Sequence, residues 1–201
     1  MNFELLALPA VVLVSLTGII LLVSPDWRVS IAALAFQYIG VFVLVAMSWP
    51  LEMAIVKLVT GWMVCAVLAL AKAGAPGSPK EEQGIIFNVL FRLLAAGLVG
   101  LVVASTVPRI MVWVPEISIE QLLGGGILIG MGLLHLGLTS SALRVIFGLL
   151  TVLAGFEILY AAVETSVLVA GLLAAVSLGL SLVGAYLLVV PSLAATEGEI
   201  E

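Results

Sequence analysis

This sequence contains little charge. Only 9% of its 201 residues are Asp, Glu, Lys or Arg, while 64% are hydrophobic. A soluble globular protein holds about 25% charged residues, so this composition excludes a soluble domain. The formal net charge is −5, and the chain therefore lacks the basic surface that nucleic-acid binding requires.

Cysteine and histidine each occur only once, as Cys65 and His135. One cysteine cannot form an intramolecular disulfide, and one histidine and one cysteine far apart make a poor metal site. Haem ligation by His135 lacks a second axial histidine. The sequence contains no HExxH, CxxC, GxSxG or P-loop motif, and no GxGxxG that opens a helix after a strand. We therefore expect no cofactor and no catalytic activity of this chain alone.

Long apolar runs fill most of the chain. A membrane-spanning helix needs roughly 20 apolar residues. Turn residues and polar breaks separate seven such runs, which predicts an all-α, polytopic integral membrane protein. The predicted spans are 5–23, 29–48, 51–71, 85–107, 121–139, 143–163 and 166–190.

The breaks also divide the chain into parts. A three-helix part over 1–75 is followed by a polar loop over 76–84. Residues 85–120 hold the fourth helix and a connection from Pro108 to Glu120, which is apolar enough to lie in the membrane interface. Three further helices follow over 121–190, and an acidic tail covers 191–201.

The loop cations predict an orientation. Cytoplasmic loops of membrane proteins collect Lys and Arg. With the N-terminus outside and the C-terminus in the cytoplasm, Arg109 is the only loop cation on the outer side. The cytoplasmic side then holds Arg28, Lys72, Lys80 and Arg144. This distribution predicts a multi-pass protein of the cell (inner) membrane.

Four ionisable residues fall inside predicted spans: Lys57, Arg92, His135 and Glu157. Each charge placed in hydrocarbon costs about 2.5 to 3.5 kcal/mol even on the lenient insertion scale. At 1.5 Å of rise per residue, Lys57 and Glu157 both lie about 10 Å below the outer surface. Arg92 and His135 lie about 10 Å and 6 Å from the cytoplasmic surface and form an inner tier.

Each of these groups has a structural and a functional interpretation. Lys57 and Glu157 either form a static ion pair between two helices or belong to a proton or cation path. Arg92 and Lys57 have stems long enough to reach the headgroups. His135 is either a hydrogen-bonded packing residue or a proton relay, because imidazole titrates near neutral pH.

Small residues predict where helices approach closely. Gly126 and Gly130 form a small-xxx-small pair in the fifth span. On a period of 3.6 residues, His135 shares a stripe with Gln121 and Met131. Polar and small stripes of this kind face other helices rather than lipid.

The last three spans resemble a known family. The resemblance rests on three stretches, which are Gly137-Leu-Thr-Ser-Ser-Ala-Leu-Arg144-Val-Ile-Phe-Gly148-Leu, Ala154-Gly155-Phe156-Glu157-Ile158-Leu159 and Gly171-Leu-Leu-Ala-Ala-Val-Ser-Leu-Gly179-Leu. Together they are similar to the small three-helix K-type subunit of complex I. The same subunit type occurs as the C subunit of Mrp-type cation/proton antiporters and in related membrane-bound hydrogenases.

The resemblance implies a function. In that family a cytoplasmic loop with an arginine, here matched by Arg144, precedes a helix with a buried glutamate, here matched by Glu157. The glutamate would handle protons within a charged path, and the partners would be other integral membrane subunits of the antiporter type. The second carboxylate of the family is missing, with Val176 and Ser177 near its place.

We therefore expect a membrane subunit of a multisubunit proton- or cation-translocating complex, without its own redox centre. Two alternatives remain open. The first alternative is a non-catalytic scaffold subunit of an energy-converting membrane complex, and the second is a small-solute transporter. The two parts of the chain show no inverted repeat of the kind that many transporters have.

Overall fold

The structure is a computed structural model that describes the backbone of residues 4–74 and 85–197 and the side chains of 5–74 and 89–190. The predicted loop over 76–84 and the end of the predicted acidic tail lie outside these ranges.

Within the described ranges the chain is all-helical. Seven α-helices occur there, and each contains a stretch long and apolar enough to cross a membrane. The prediction of an all-α protein with seven apolar spans is confirmed. The helices are α1 (Glu4–Val23), α2 (Trp27–Val45), α3 (Leu51–Gly74), α4 (Ile85–Trp113), α5 (Ile119–Gly137), α6 (Ala142–Val163) and α7 (Val167–Glu197).

Two helices are longer than the sequence predicts. α4 continues through Pro108 to Trp113, so the first half of the expected interfacial connection is helical. Proline removes one backbone donor, but membrane-spanning helices tolerate this loss more readily than soluble ones. α7 continues past 190 to Glu197, so the helix includes the first residues of the predicted tail.

Local hydrogen bonds fix where two of the helices begin. Asp26 caps α2, and its carboxylate accepts a hydrogen bond from the backbone N–H of Arg28 at 2.9 Å. At the start of α5, Ser118 and Gln121 form a capping box. The Gln121 amide nitrogen also donates to the carbonyl of Leu44 and to the hydroxyl of Ser48, both at 2.9 Å. The side chain of Gln121 therefore both caps the start of α5 and connects α5 to the end of α2.

The helices form a closed ring with one peripheral member. Around the ring, each helix packs on the next in the order α1, α2, α3, α7, α6, α5 and back to α1, and α2 also touches α6 across the centre. α4 packs on α5 and α1 outside this ring. α2 and α6 are consequently the most deeply enclosed helices.

Among the described residues, cations outnumber carboxylates at one end of the bundle and carboxylates outnumber cations at the other. We call the end with the α1–α2 and α5–α6 connections the basic end, because Arg28, Lys72 and Arg144 lie near it. The opposite end holds the α2–α3, α4–α5 and α6–α7 connections. We call it the acidic end because Glu52, Glu116, Glu120 and Glu164 lie there, with Arg109 as the one cation that the structure describes at this end.

Glycines bring the backbones of α5 and α6 into direct contact. A Cβ atom placed on Gly155 would lie 2.6 Å from the carbonyl oxygen of Gly125, and one on Gly132 would lie 2.8 Å from that of Gly148. Gly125 and Gly132 are seven residues apart in α5, and Gly148 and Gly155 are seven apart in α6. This spacing returns to the same helix face after two turns, so the two helices touch at two levels.

The predicted pair Gly126 and Gly130 faces a different helix. Any Cβ atom on these residues would meet the side chains of Val103 and Val99 in α4. The pair therefore seats α5 against the valines of α4, while the backbone contact belongs to the glycines that face α6. The glycines that face α6 were not predicted as a packing pair from the sequence.

We predict that Gly155→Ala lowers the stability of the protein in mild detergent by about 1 to 3 kcal/mol, because the added methyl group overlaps the backbone of α5. Gly179→Ala in α7 is the matched control, since nothing lies within 4 Å of a Cβ atom there. Thermal unfolding monitored by circular dichroism compares the two variants. Equal unfolding temperatures for both would contradict the close α5–α6 contact.

Candidate functional site

Lys57 of α3 and Glu157 of α6 meet inside the bundle. The Nζ atom of Lys57 donates to Oε1 of Glu157 at 2.5 Å, and the two residues are only 6% and 2% exposed. The contact brings together two residues that the sequence predicts at one level of the bundle. An opposite charge at this distance offsets part of the cost of burying each group.

A third helix joins this ion pair through Ser177 of α7. Lys57 Nζ also donates to the Ser177 hydroxyl oxygen at 3.2 Å, and that hydroxyl donates to the carbonyl of Leu173 at 2.9 Å. The family resemblance leads one to expect a carboxylate near this position. A serine there supplies a neutral acceptor, so the lysine has one carboxylate partner.

An aromatic ring covers the lysine from the α2 side. Lys57 Nζ lies 5.7 Å from the ring centre of Tyr38, within the range of a cation–π contact. Tyr38 fits there because Gly61, one turn along α3, has no side chain, and any Cβ atom on it would overlap the ring. Glycine at position 61 therefore helps to place the ring beside the charge.

The second carboxylate oxygen of Glu157 has no partner. Oε2 is buried, and no hydrogen-bond donor reaches it among the described residues. Buried polar atoms in proteins are nearly always hydrogen-bonded, so an unsatisfied carboxylate oxygen indicates a group that a further donor can reach.

A crevice leads to the pair. It has a volume of about 130 Å³ and is lined mainly by apolar side chains of α2, α3 and α7, with Lys57 and Glu157 in its wall. Trp49 and Val167 line it near the acidic end, whereas Val56 and Gly171, which are exposed, line it toward the outer surface of the bundle. The ion pair is therefore buried but has open space beside it.

Trp49 holds one wall of this crevice in place. Its indole nitrogen donates to the backbone carbonyl of Glu164 at 2.8 Å. Its ring packs edge-on against the ring of Tyr160, with 6.5 Å between the two ring centres. These contacts connect the α2–α3 turn to the end of α6, so the wall is fixed to two elements.

A second polar contact lies deeper in the bundle. The Gln37 amide of α2 donates to the Thr151 hydroxyl of α6 at 3.5 Å, and the Gln37 carbonyl oxygen Oε1 has no partner in the described part of the chain. Thr151 precedes Glu157 by about 9 Å of rise along α6, toward the basic end. The residues predicted for an ion path are all ionisable, and Gln37 was not among them. Its signal was a fully polar amide inside a 19-residue apolar helix.

Arg92 takes part in a different arrangement, near the basic end. Its guanidinium donates to the carbonyl of Leu22 at 2.8 Å, and that of Arg144 donates to the carbonyl of Ser24 at 3.4 Å. These carbonyls belong to the last turn of α1 and to the residue after it. Carbonyl groups at the end of a helix accept no hydrogen bond within that helix. Cations also suit the negative end of the helix dipole. In this structure Arg92 is therefore a helix cap.

His135 is buried near the end of α5 and lies apart from the ion pair. It is 5% exposed, and its Nε2 atom has no hydrogen-bond partner among the described side chains and backbone. The predicted stripe with Gln121 and Met131 is buried, as expected. The structure thus places Lys57 with Glu157, and it separates both from Arg92 and His135.

A metal site requires several ligand side chains that lie close together. Within 4–74 and 85–197, no three His, Cys, Asp or Glu side chains lie together in a way that could hold a metal ion. Comparison of the chain with protein-family models, curated proteins and solved structures finds no match. The buried polar groups are therefore the features of this chain that bear on its function.

We predict that Arg92→Gln lowers stability by about 1.5 to 3 kcal/mol, the usual contribution of a hydrogen bond to a charged group. The reason is the loss of the cap on the Leu22 carbonyl. Arg109→Gln is the matched control on the same helix, because Arg109 is exposed at the acidic end. The free energy of unfolding of both variants is measured in mild detergent. An Arg92→Gln protein as stable as Arg109→Gln would contradict the capping role.

Proposed function

We propose that this protein is a membrane subunit of a proton- or cation-translocating assembly, in which Glu157 is the group that takes up and releases the proton. The single observation that carries the proposal is the ion pair between Lys57 and Glu157, buried among α3, α6 and α7, with one carboxylate oxygen left unsatisfied beside an open crevice. Ionisable groups inside a membrane protein most often mark a substrate, ion or proton path.

The pair can move charge because its members depend on each other. When Glu157 takes up a proton on its unsatisfied oxygen, Lys57 becomes an unpaired buried cation, with only Ser177 and the Tyr38 ring as neighbours. An uncompensated charge in low dielectric is strongly destabilised. Release of that proton from Glu157 restores the ion pair, so the neighbouring charge of Lys57 favours the return of the proton.

The Gln37–Thr151 contact offers a next polar step toward the basic end. Gln37 has an unsatisfied acceptor, and the Thr151 hydroxyl can both accept and donate. The roughly 9 Å of rise between Thr151 and Glu157 exceeds one hydrogen bond, so a proton crosses it only in a second conformation that admits water between them. The last three helices, α5, α6 and α7, resemble the K-type subunit, and this resemblance also supports a proton path that includes Glu157.

A scaffold role is the second candidate, and one observation favours it. Lys57 bonds to both Glu157 and Ser177, so a single side chain connects α3 with α6 and α7. A buried pair of this kind can serve only to fix the arrangement of helices. The two candidates differ in what happens when both charges are replaced by apolar groups.

Membrane partners are part of the proposal. α4 and α7 bury little of their spanning surface within the chain. Nothing lies within 4 Å of a Cβ atom on Gly97 or Gly100 in α4, or on Gly171 or Gly179 in α7. Small residues on outward surfaces let other membrane helices approach closely. We propose that antiporter-like subunits cover these faces.

We also propose that the basic end lies in the cytoplasm, with the N-terminus outside and the C-terminus inside, because cytoplasmic ends of membrane proteins collect arginine and lysine. The protein would then be a multi-pass protein of the cell membrane.

The orientation predicts a labelling pattern. In a Cys65→Ala background, a membrane-impermeant maleimide added to intact cells should label Thr165→Cys at the acidic end. Ser141→Cys at the basic end should react only after the cells are opened. Both positions are exposed. The reverse pattern would overturn the orientation.

The proton path predicts a separation of stability from transport. Glu157→Gln should lower stability by about 3 to 5 kcal/mol, because it leaves Lys57 buried without a charged partner. The double change Lys57→Met with Glu157→Leu should restore stability and assembly. It should still abolish proton movement, since neither titratable group of the pair remains.

Proton uptake in vesicles that hold the protein with its natural partners, together with unfolding in detergent, tests this prediction. Glu164→Gln is the control, because it removes an exposed carboxylate at the acidic end. Normal proton movement by a well-assembled double variant would refute the proton-handling role and favour the scaffold.

A further inference from the structure

The crevice beside the ion pair extends toward one end of the bundle, and it also opens sideways at the exposed residues Val56 and Gly171, on a surface that would face lipid rather than water. Its lining runs from Trp49 in the α2–α3 turn and Val167 at the start of α7 to Glu157 at its inner wall. Both outer positions belong to the acidic end. We infer that this crevice is a water path that gives Glu157 access to the acidic end only.

The unsatisfied oxygen decides which occupant fits. Glu157 Oε2 can only accept a hydrogen bond, so the occupant must be a donor. The pair of Lys57 and Glu157 is already neutral in sum, and a cation added beside it would bring a net charge into a low-dielectric site. A neutral donor avoids that cost, and water is the smallest one.

The size of the crevice agrees with this occupant. Water occupies roughly 30 Å³ per molecule in the liquid, so a volume of about 130 Å³ has room for a few molecules. The inner molecule would bind Oε2. Most of the wall is apolar, and a purely apolar cavity stays dry, so Lys57 and Glu157 are the groups that would hold water at the inner end.

The apolar walls control the outer part of the path. Met53, Val56 and Val167 offer no hydrogen bonds to water. Hydrophobic constrictions in channels open and close by wetting and dewetting. Water would therefore fill this part intermittently, and Glu157 would exchange protons with the acidic end only while it is wet.

The opposite direction is closed by packing. Toward the basic end, fully buried side chains of α2, α3 and α6 belong to one continuous core. These are Leu34, Leu68, Phe147 and Leu150, each 0% or 1% exposed. A close-packed interior leaves no space for water. The access of Glu157 is one-sided in this structure, as alternating-access transport requires of any single state.

This inference rests on the proposed function for its purpose, but its test is separate. In a Cys65→Ala background, we compare Ala174→Cys with Ala175→Cys. Ala174 lines the crevice, whereas Ala175 is exposed on the outer surface of α7 at almost the same depth. The probe is a small, cationic methanethiosulfonate applied to the full-length protein in vesicles.

Ala174→Cys should react at least about tenfold faster than Ala175→Cys, because only the thiolate reacts and a thiol facing hydrocarbon does not ionise. It should react from the same side of the membrane as Thr165→Cys. Ala170→Cys, one turn nearer the acidic end, is a second crevice position and should react at least as fast. Denaturation followed by labelling establishes that every thiol is present.

Three outcomes would overturn the inference. Equal or slower reaction of both crevice cysteines relative to Ala175→Cys would show that lipid or protein fills the crevice. Reaction from the basic-end side would show that access is not one-sided. The third outcome concerns Trp49→Ala, which widens the entrance of the crevice. If Ala174→Cys is labelled at the same rate with and without Trp49→Ala, the apolar entrance does not restrict access.

The two proposals fail separately. If the crevice cysteines stay unreactive while the double variant at Lys57 and Glu157 abolishes proton movement, the access path is wrong and the proton-handling role stands. If they react as expected while that double variant transports normally, the water path is real and the proton-handling role is wrong.

Discussion

The arrangement of this bundle depends on the burial of two opposite charges in a membrane interior. Neither Lys57 nor Glu157 could lie there alone, because an unpaired charge is far more costly than a matched pair. Their contact therefore fixes α3 against α6, and the bond from Lys57 to Ser177 adds α7. The site exists only where these three helices meet, so whatever keeps them together also maintains the chemistry.

Close packing holds the helices of the bundle together. Where lipid is as apolar as the helices, association depends on shape and on hydrogen bonds. The glycines at positions 125, 132, 148 and 155 let α5 and α6 touch at two levels. Gln121 connects α5 to α2, and the guanidinium groups of Arg92 and Arg144 complete the end of α1. The arginines near the basic end are used in caps, whereas Lys57 and Glu157 bond to each other.

Much of this could be predicted from the sequence, for physical reasons. Apolar runs of spanning length reveal membrane helices directly, and the shared depth of Lys57 and Glu157 follows from the rise per residue. The end of α4 was missed because proline usually stops soluble helices, whereas Pro108 lies within this one. Which glycines face which helix could not be predicted, since Gly125 and Gly126 differ only by 100° of rotation. The partners of Lys57, Gln37 and Arg92 depend on how distant segments meet, and periodicity within one helix carries no such information.

The contact between Lys57 and Glu157 is the central claim, and solid-state nuclear magnetic resonance in lipid bilayers tests it most directly. With ¹⁵N in the lysine side chains and ¹³C in the glutamate carboxyl groups, the structure predicts a dipolar coupling at hydrogen-bonding distance that disappears in Lys57→Met. The same coupling should persist in Glu164→Gln. A spectrum without such a coupling, or one whose coupling survives in Lys57→Met, would contradict the pair and the function built on it.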